Sequence, residues 1–264
     1  MIVIGDPHGN YKTLLALLDK IPQEEKDKGV VIAGDLMDRG PGSKQVIQYC
    51  IDNKILVVLG NHEQMMIDEL EWALIAFDEI GYLSKQGLWV LNGGYQTLES
   101  YTFTSYDLVD DRGIPKLQID KELLRKHVEY LKTLPVYLEF KDIENNSGRH
   151  LVVSHSLINN LWHLRNEGGN SARIFKEQVL WNRNFHKIKI VPGIYNVIGH
   201  TPQPNGPRIR KTYACIDTGC FYNEIGFFKL TALQFPEMII YDQNNIDMPD
   251  NRHLNYPHFP KDRA

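Results

Sequence analysis

Six residues of this 264-residue chain carry side chains suited to divalent cations and stand directly behind short apolar runs: Asp6 and His8, Asp35, Asn61, His155 and His200. Two cations held side by side need one carboxylate that faces both, with separate oxygen and imidazole donors on either side. This set supplies all of them, and Asp35 is the natural bridge. A carboxylate and imidazole shell without thiolate suits manganese first, then iron or zinc, and not calcium, which prefers oxygen alone. Gly5, Gly9, Gly34, Gly40, Gly60 and Gly199 flank these positions, where they permit tight turns or close backbone approach to an anion. Taken singly, each is an ordinary turn glycine, and His155 or His200 alone reads as a buried histidine satisfied by backbone. Asp38 and Arg39 alone read as a surface pair or a helix start. Their joint placement behind predicted strands reverses those readings.

The elements that must position these residues follow from periodicity. Short β-branched runs at 1–4, 29–33, 55–59, 151–154, 195–198 and 213–216 read as buried strands. Leu14, Leu15, Leu17 and Leu18 give an apolar helical face over 11–20, and Val46, Ile47 and Tyr49 do the same over 43–52. The first third is therefore β-α-β-α-β. That alternation predicts a largely parallel sheet with right-handed crossovers and a site beyond the carboxyl ends of its strands. Between about 64 and 134, helix-like stretches at 65–78 and 121–131 flank a polar, glycine-containing segment at 92–106, which reads as a helical insertion over the site. Strands dominate again from Tyr137. One catalytic domain over 1–247 and a polar, loosely ordered tail over 248–264 are expected.

Three runs also carry a resemblance. Gly5-Asp6-Pro7-His8-Gly9, Gly34-Asp35-Leu36-Met37-Asp38-Arg39-Gly40 and Gly60-Asn61-His62-Glu63 resemble, in order, the signature motifs of the phosphoprotein phosphatase family of calcineurin-like metallophosphoesterases. Within it, the likeness is to bacterial and phage serine/threonine phosphatases. Ser154-His155, Trp181-Asn182-Arg183, Gly199-His200-Thr201-Pro202, Ile216-Asp217-Thr218-Gly219 and Asn92-Gly93-Gly94 extend it, so that it spans the chain to about Gly219. The resemblance implies an α/β fold in which central β-sheets are flanked by helices, an αββα sandwich. It also implies one metal on Asp6, His8 and Asp35, and a second on Asp35, Asn61, His155 and His200. Water activated between the two ions would then attack phosphorus, with His62 as general acid and Asp38 orienting its imidazole. Arg39 and Arg183 would grip the phosphate oxygens, with Trp181 packed in support of Arg183. Pro7 departs from the usual aliphatic residue but removes no ligand, since proline only fixes φ and deletes one N–H.

Two other readings compete. A symmetrical diadenosine tetraphosphatase, or another phosphoanhydride hydrolase, shares this scaffold but resembles Gly-Asp-x-x-Ala-Arg-Gly and Gly-Asn-His-Asp where this chain has Asp38 and Glu63. That contrast favours a phosphomonoesterase acting on phosphoproteins or small phosphate esters, because an ester leaving group needs the acid more. A non-catalytic metal-stabilised binding module is disfavoured by the complete ligand set. His127, His150, His163, His186, His253 and His258 lie outside the motifs and are not expected in the site, and Met65 and Met66 read as packing residues.

Bulk properties exclude further classes. Hydrophobic residues make up 42% and charged residues 23%, ordinary globular usage, and the formal net charge of -4 gives no basic field for nucleic acid. No apolar run reaches membrane-spanning length, and the amino-terminal residues do not read as a signal peptide or a regulatory element. Cys50, Cys215 and Cys220 show no paired spacing, which fits reduced thiols in a cytoplasmic enzyme. No phosphate-binding P-loop or kinase motif set is present.

Overall fold

Alternation of side chains along the first strands decides the layering. Strands β1 (Ile2–Ile4), β2 (Val30–Ile32) and β3 (Leu56–Val57) pair in parallel. Ile2, Ile4 and Ile32 join one apolar cluster with helical side chains, while Val3 and Val31 join another with a second sheet. The period of two along a strand sends successive residues to opposite faces, so both faces are covered. In this computed structural model, residues 1–76, 87–109, 112, 115–185 and 188–250 are described.

Helices α1 (Tyr11–Asp19), α2 (Gln23–Lys26) and α3 (Ser43–Asp52) connect these strands, and α4 (Asn61–Ala76) follows β3. Leu14 and Leu17 of α1, Val46 and Ile47 of α3, and Met65, Met66 and Leu70 of α4 cover the outer face of the sheet, the two methionines as packing groups. Next come a π-helical turn (Val90–Gly94), α5 (Tyr95–Ser100), a hairpin of β4 (Thr102–Val109) and β5 (Pro115–Ile119), and α6 (Lys121–Lys132). The segment expected to be a helical insertion thus includes a two-stranded hairpin. Its polar stretch at 92–106 is structured as turn, helix and strand.

The second half builds the other sheet from β6 (Tyr137–Glu144), β7 (His150–Ser154), β8 (Ile194–Ile198), β9 (Arg208–Ile209) and β10 (Tyr213–Cys215). A 3-10 turn (Asn159–Leu164) and α7 (Gly169–Trp181) lie between β7 and β8. Phe175 and Val179 of α7 cover Val152 and Ile194, while Leu151, Val153, Tyr195 and Val197 face the first sheet. Strands β11 (Lys229–Gln234) and β12 (Ile239–Asn244) return to the first sheet.

The sheet orders are β12-β11-β1-β2-β3 and β6-β7-β8-β10-β9. The central pairs are parallel, as expected, and the two central sheets agree with the αββα sandwich, but β11, β12, β6 and β9 join antiparallel, so the largely parallel pairing is corrected to a mixed one in both sheets. Four layers result, helix on sheet on sheet on helix, the αββα sandwich that the resemblance implies. Each fully buried aliphatic contributes about 1.5–3 kcal/mol. Two such layers can therefore carry a rim of buried charge whose desolvation costs roughly several kcal/mol per ion. The carboxyl-terminal strand pair is tied to the start of α1: the Asp247 carboxylate accepts from the Lys12 and Thr13 amides at 3.0 and 2.8 Å. The end of the 65–78 helix reading, the 251–264 part of the expected tail, and His186, His253 and His258 lie outside the described residues.

Candidate metal centre

The ligand candidates converge at the seam between the sheets. Asp6 and His8 follow β1, Asp35 follows β2, Asn61 opens α4 behind β3, His155 follows β7 and His200 follows β8. All six are at most 4% exposed. Three of them turn the chain in the left-handed region, His8 at φ 43, Asp35 at φ 52 and His200 at φ 68. Each such non-glycine residue costs roughly 1–2 kcal/mol, so the loops are held there by surrounding contacts.

Asp35 lies at the middle. Its Oδ2 is 3.5 Å from His8 Nε2 and 3.9 Å from His62 Nε2, and its Oδ1 is 3.3 Å from His155 Nε2. One carboxylate thus presents one oxygen to each of two donor groups, His8 with His62 and His155 with His200. Asn61 Oδ1 sits 2.8 Å from His155 Nε2 and 2.9 Å from His200 Nδ1. Asp6 Oδ2 accepts the His200 amide at 2.7 Å. Gly199 is required there, since a Cβ would collide with Asp6 Oδ1.

Three observations make this donor set fit divalent cations. First, Asp6 Oδ1 is buried with no hydrogen-bond partner, a state that ordinarily costs about 1–3 kcal/mol. Second, Asp6, Asp35, Asp38, Glu63 and Asp217 place five carboxyls at no more than 3% exposure. Burial and then the neighbouring Asp217 push Asp6 well up, and burial pushes Asp217 up to about 6. Burial alone would raise Asp35 too, but His155, His62 and His8 outweigh it and hold its carboxyl well below the usual range. Third, burial pulls His155 down while Asp35 and Asp6 outweigh it, giving a value of about 10. The pocket therefore demands positive charge, which a pair of cations provides without a proton. His8 Nδ1 donates to Met37 O at 2.9 Å and His155 Nδ1 to Ala33 O at 2.7 Å, which turns both Nε2 atoms toward Asp35.

Around the candidate ligands, His62 Nδ1 meets Asp38 Oδ2 at 2.6 Å. Arg39 Nη1 donates to His8 Nε2 at 3.0 Å, and its guanidinium lies 4.1 Å above the Phe221 ring. Arg183 is exposed at the opposite rim, where its charge, after burial and His155, depresses His200. Trp181 sets its ring perpendicular to that of His200 at 6.4 Å, so the indole packs against the histidine. Glu63 was legible only as a motif letter. Its carboxylate accepts from the amides of Asp35, Leu36 and Gly60 at 2.9, 2.7 and 2.8 Å and so shapes the Asp35 loop. Trp89 and Thr97, not singled out in the sequence, both reach Asp38. His127 bonds Tyr101 and Gln48, His150 bonds Glu139 and His163 bonds Asn160 O, each in a local structural contact.

A buried carboxylate and imidazole cluster at the strand ends of a four-layer α/β sandwich defines a metal-dependent phosphoesterase. The comparisons with known proteins place it: residues 1–218 match the family model described as calcineurin-like phosphoesterase, and the chain belongs to that family. It is 26% identical to the asymmetrical bis(5'-nucleosyl)-tetraphosphatase PrpE of Bacillus velezensis, over 89% of this chain and 88% of that one. A symmetrical bis(5'-nucleosyl)-tetraphosphatase of Klebsiella pneumoniae is 40% identical over 63 residues, 23% of this chain and 22% of that one. A serine/threonine phosphatase structure from Saccharomyces cerevisiae shares the fold with a TM-score of 0.54 at 12% identity, covering 94% of this chain and 81% of that one. Among the described residues no helix is long and apolar enough to cross a membrane.

Proposed function

We propose that the chain is a metal-dependent hydrolase of dinucleoside tetraphosphates. The observation that carries this reading is similarity along 89% of the chain to an asymmetrical bis(5'-nucleosyl)-tetraphosphatase. Half of the motif contrast that favoured a protein phosphatase loses its force once Glu63 is seen in place. Glu63 ties three backbone amides, and a group so occupied reports on loop geometry and not on the leaving group. Guanidiniums at both rims, Arg39 beside His8 and Arg183 toward His200, suit a phosphate chain longer than one unit.

Asp6, His8 and Asp35 would hold one cation, and Asp35, Asn61, His155 and His200 the other. Manganese is the first choice for this shell, with iron or zinc next. When bound, the pair supplies an activated water and neutralises phosphate charge. The oxygen of water adds to one phosphorus, the P–O–P bond breaks, and two nucleotides leave. Arg39 and Arg183 steady the charged oxygens, and His62, turned by Asp38, gives its proton to the departing oxygen. A second reading, phosphomonoester hydrolysis on phosphoproteins, is favoured by that His62–Asp38 hydrogen bond, since ester leaving groups need a proton most. Three buried free cysteines support a reducing, cytoplasmic setting.

The test is a comparison of diadenosine tetraphosphate with phosphoserine and phosphothreonine peptides in manganese-loaded protein. We expect kcat/KM on the dinucleotide to exceed that on the peptides by roughly tenfold or more. Separation of products then distinguishes ATP plus AMP from two ADP. Preference for the peptides would overturn this assignment.

A further inference from the structure

Asp38 sits in the loop after β2, yet half of its carboxylate is held from the segment between α4 and the β4–β5 hairpin. Its Oδ2 meets His62, while its Oδ1 accepts the Trp89 indole N–H at 2.9 Å and the Thr97 hydroxyl at 2.6 Å. The Thr97 oxygen also accepts the Asp38 amide at 3.0 Å, so one hydroxyl grips both side chain and backbone. Asp38, His62, Trp89 and Thr97 are all at most 2% exposed. The same segment reaches the next residue: the Arg39 amide donates to Gly93 O at 3.2 Å and its Nε to Asn92 O at 3.4 Å. Asp38 and Arg39 both stand in the left-handed region, at φ 69 and 71, a conformation that persists only under outside support.

The chemistry of an aspartate explains what this grip does. Its terminal torsion is broad and two-fold, so a carboxylate with one free oxygen turns easily and exchanges its two oxygens. Here rotation breaks two buried hydrogen bonds to a charged acceptor, each among the stronger kinds in a protein. Oδ2 then faces His62 Nδ1 persistently, and the imidazole keeps Nε2 directed into the metal pocket. Resting on the reading of His62 as the proton donor, we propose that Trp89 and Thr97 are positioning residues for that proton transfer. The Asn92-Gly93-Gly94 turn between them locks Arg39 in the same act. The segment 89–97 thereby sets both the acid and one phosphate clamp.

A purely structural role predicts equal losses on every substrate, and a positioning role does not. Thr97→Val, close to isosteric, and Trp89→Phe should be compared with wild type on an alkyl phosphate and on p-nitrophenyl phosphate, whose leaving group is already a good anion. We expect roughly tenfold or greater loss of kcat/KM on the alkyl ester and less than about threefold on the aryl ester. Metal content should be unchanged, and Thr97→Ser should restore wild-type behaviour. In the metal-free protein, the downfield imidazole N–H resonance that His62→Asn removes should shift or broaden in both variants. Equal losses on the two esters, no loss, or an unmoved resonance would overturn the inference. If Trp89→Phe fails to fold, Thr97→Val carries the test. His62→Asn tells the two proposals apart: if it too loses equally on both esters, the proton-donor reading fails; if it is selective and the Val and Phe variants are not, this inference alone fails.

Discussion

At the scale of single residues, Asp35 concentrates the site, because its two oxygens face different donor groups at 3.3 and 3.5 Å. Asp35→Asn keeps the shape and removes the shared negative charge. Elemental analysis should then find fewer than two metals per chain, with kcat/KM down on the order of a hundredfold or more; full occupancy would exclude bridging. The proposed ligands were legible as a set of candidates because each follows a β-branched run, and the structure brings those six residues together. Trp89 and Thr97 were not, since they lie 51 and 59 residues from Asp38 and nothing near them marks the contact. Asp217 shows a third case. Its motif was visible, but its place beside Asp6 depends on β10 reaching the first sheet's edge of the pocket, which no local pattern states.

At the scale of elements, the π-helical turn Val90–Gly94 decides how the segment from 64 to 134 meets the core. Gly93 holds φ 110, and a Cβ there would meet Arg39 Cγ at 2.7 Å and the Arg39 amide nitrogen at 2.8 Å. Gly93→Ala should cost about 1–3 kcal/mol in urea unfolding and raise KM for phosphate substrates through a displaced Arg39. Unchanged KM and stability would show that the turn relaxes freely. The early strands and α1 and α3 followed from periodicity, as the β-α-β-α-β reading expected. The hairpin β4–β5 did not, because its two strands pair with each other in a separate two-stranded sheet and need no crossover helix to announce them. Helix α4 begins at Asn61, four residues ahead of the apolar spacing, since its first turn carries the buried polar side chains of Asn61, His62 and Glu63.

At the scale of the molecule, donors from both sheets share one pocket: four candidates extend from the first sheet and two from the second. Cations bound there would link the layers. At concentrations near a hundred times Kd, manganese should raise Tm by about 5–10 °C, a chelator should reverse the rise, and Asp35→Asn should abolish it. A flat melting temperature would mean that the layers gain nothing from the metals. The antiparallel outer strands β6, β9, β11 and β12 explain why two sheets were not legible from β-α-β alternation alone, for strands that return antiparallel need no crossover helix to announce them.

The split of donors between two sheets bears on biosynthesis. Asp6, His8, Asp35 and Asn61 leave the ribosome early, whereas His155 and His200 emerge only after the intervening hairpin and helices. Four of the six proposed ligands are thus synthesised before the other two exist. Were these six groups to hold cations, both sites would be complete only once the second sheet has been made.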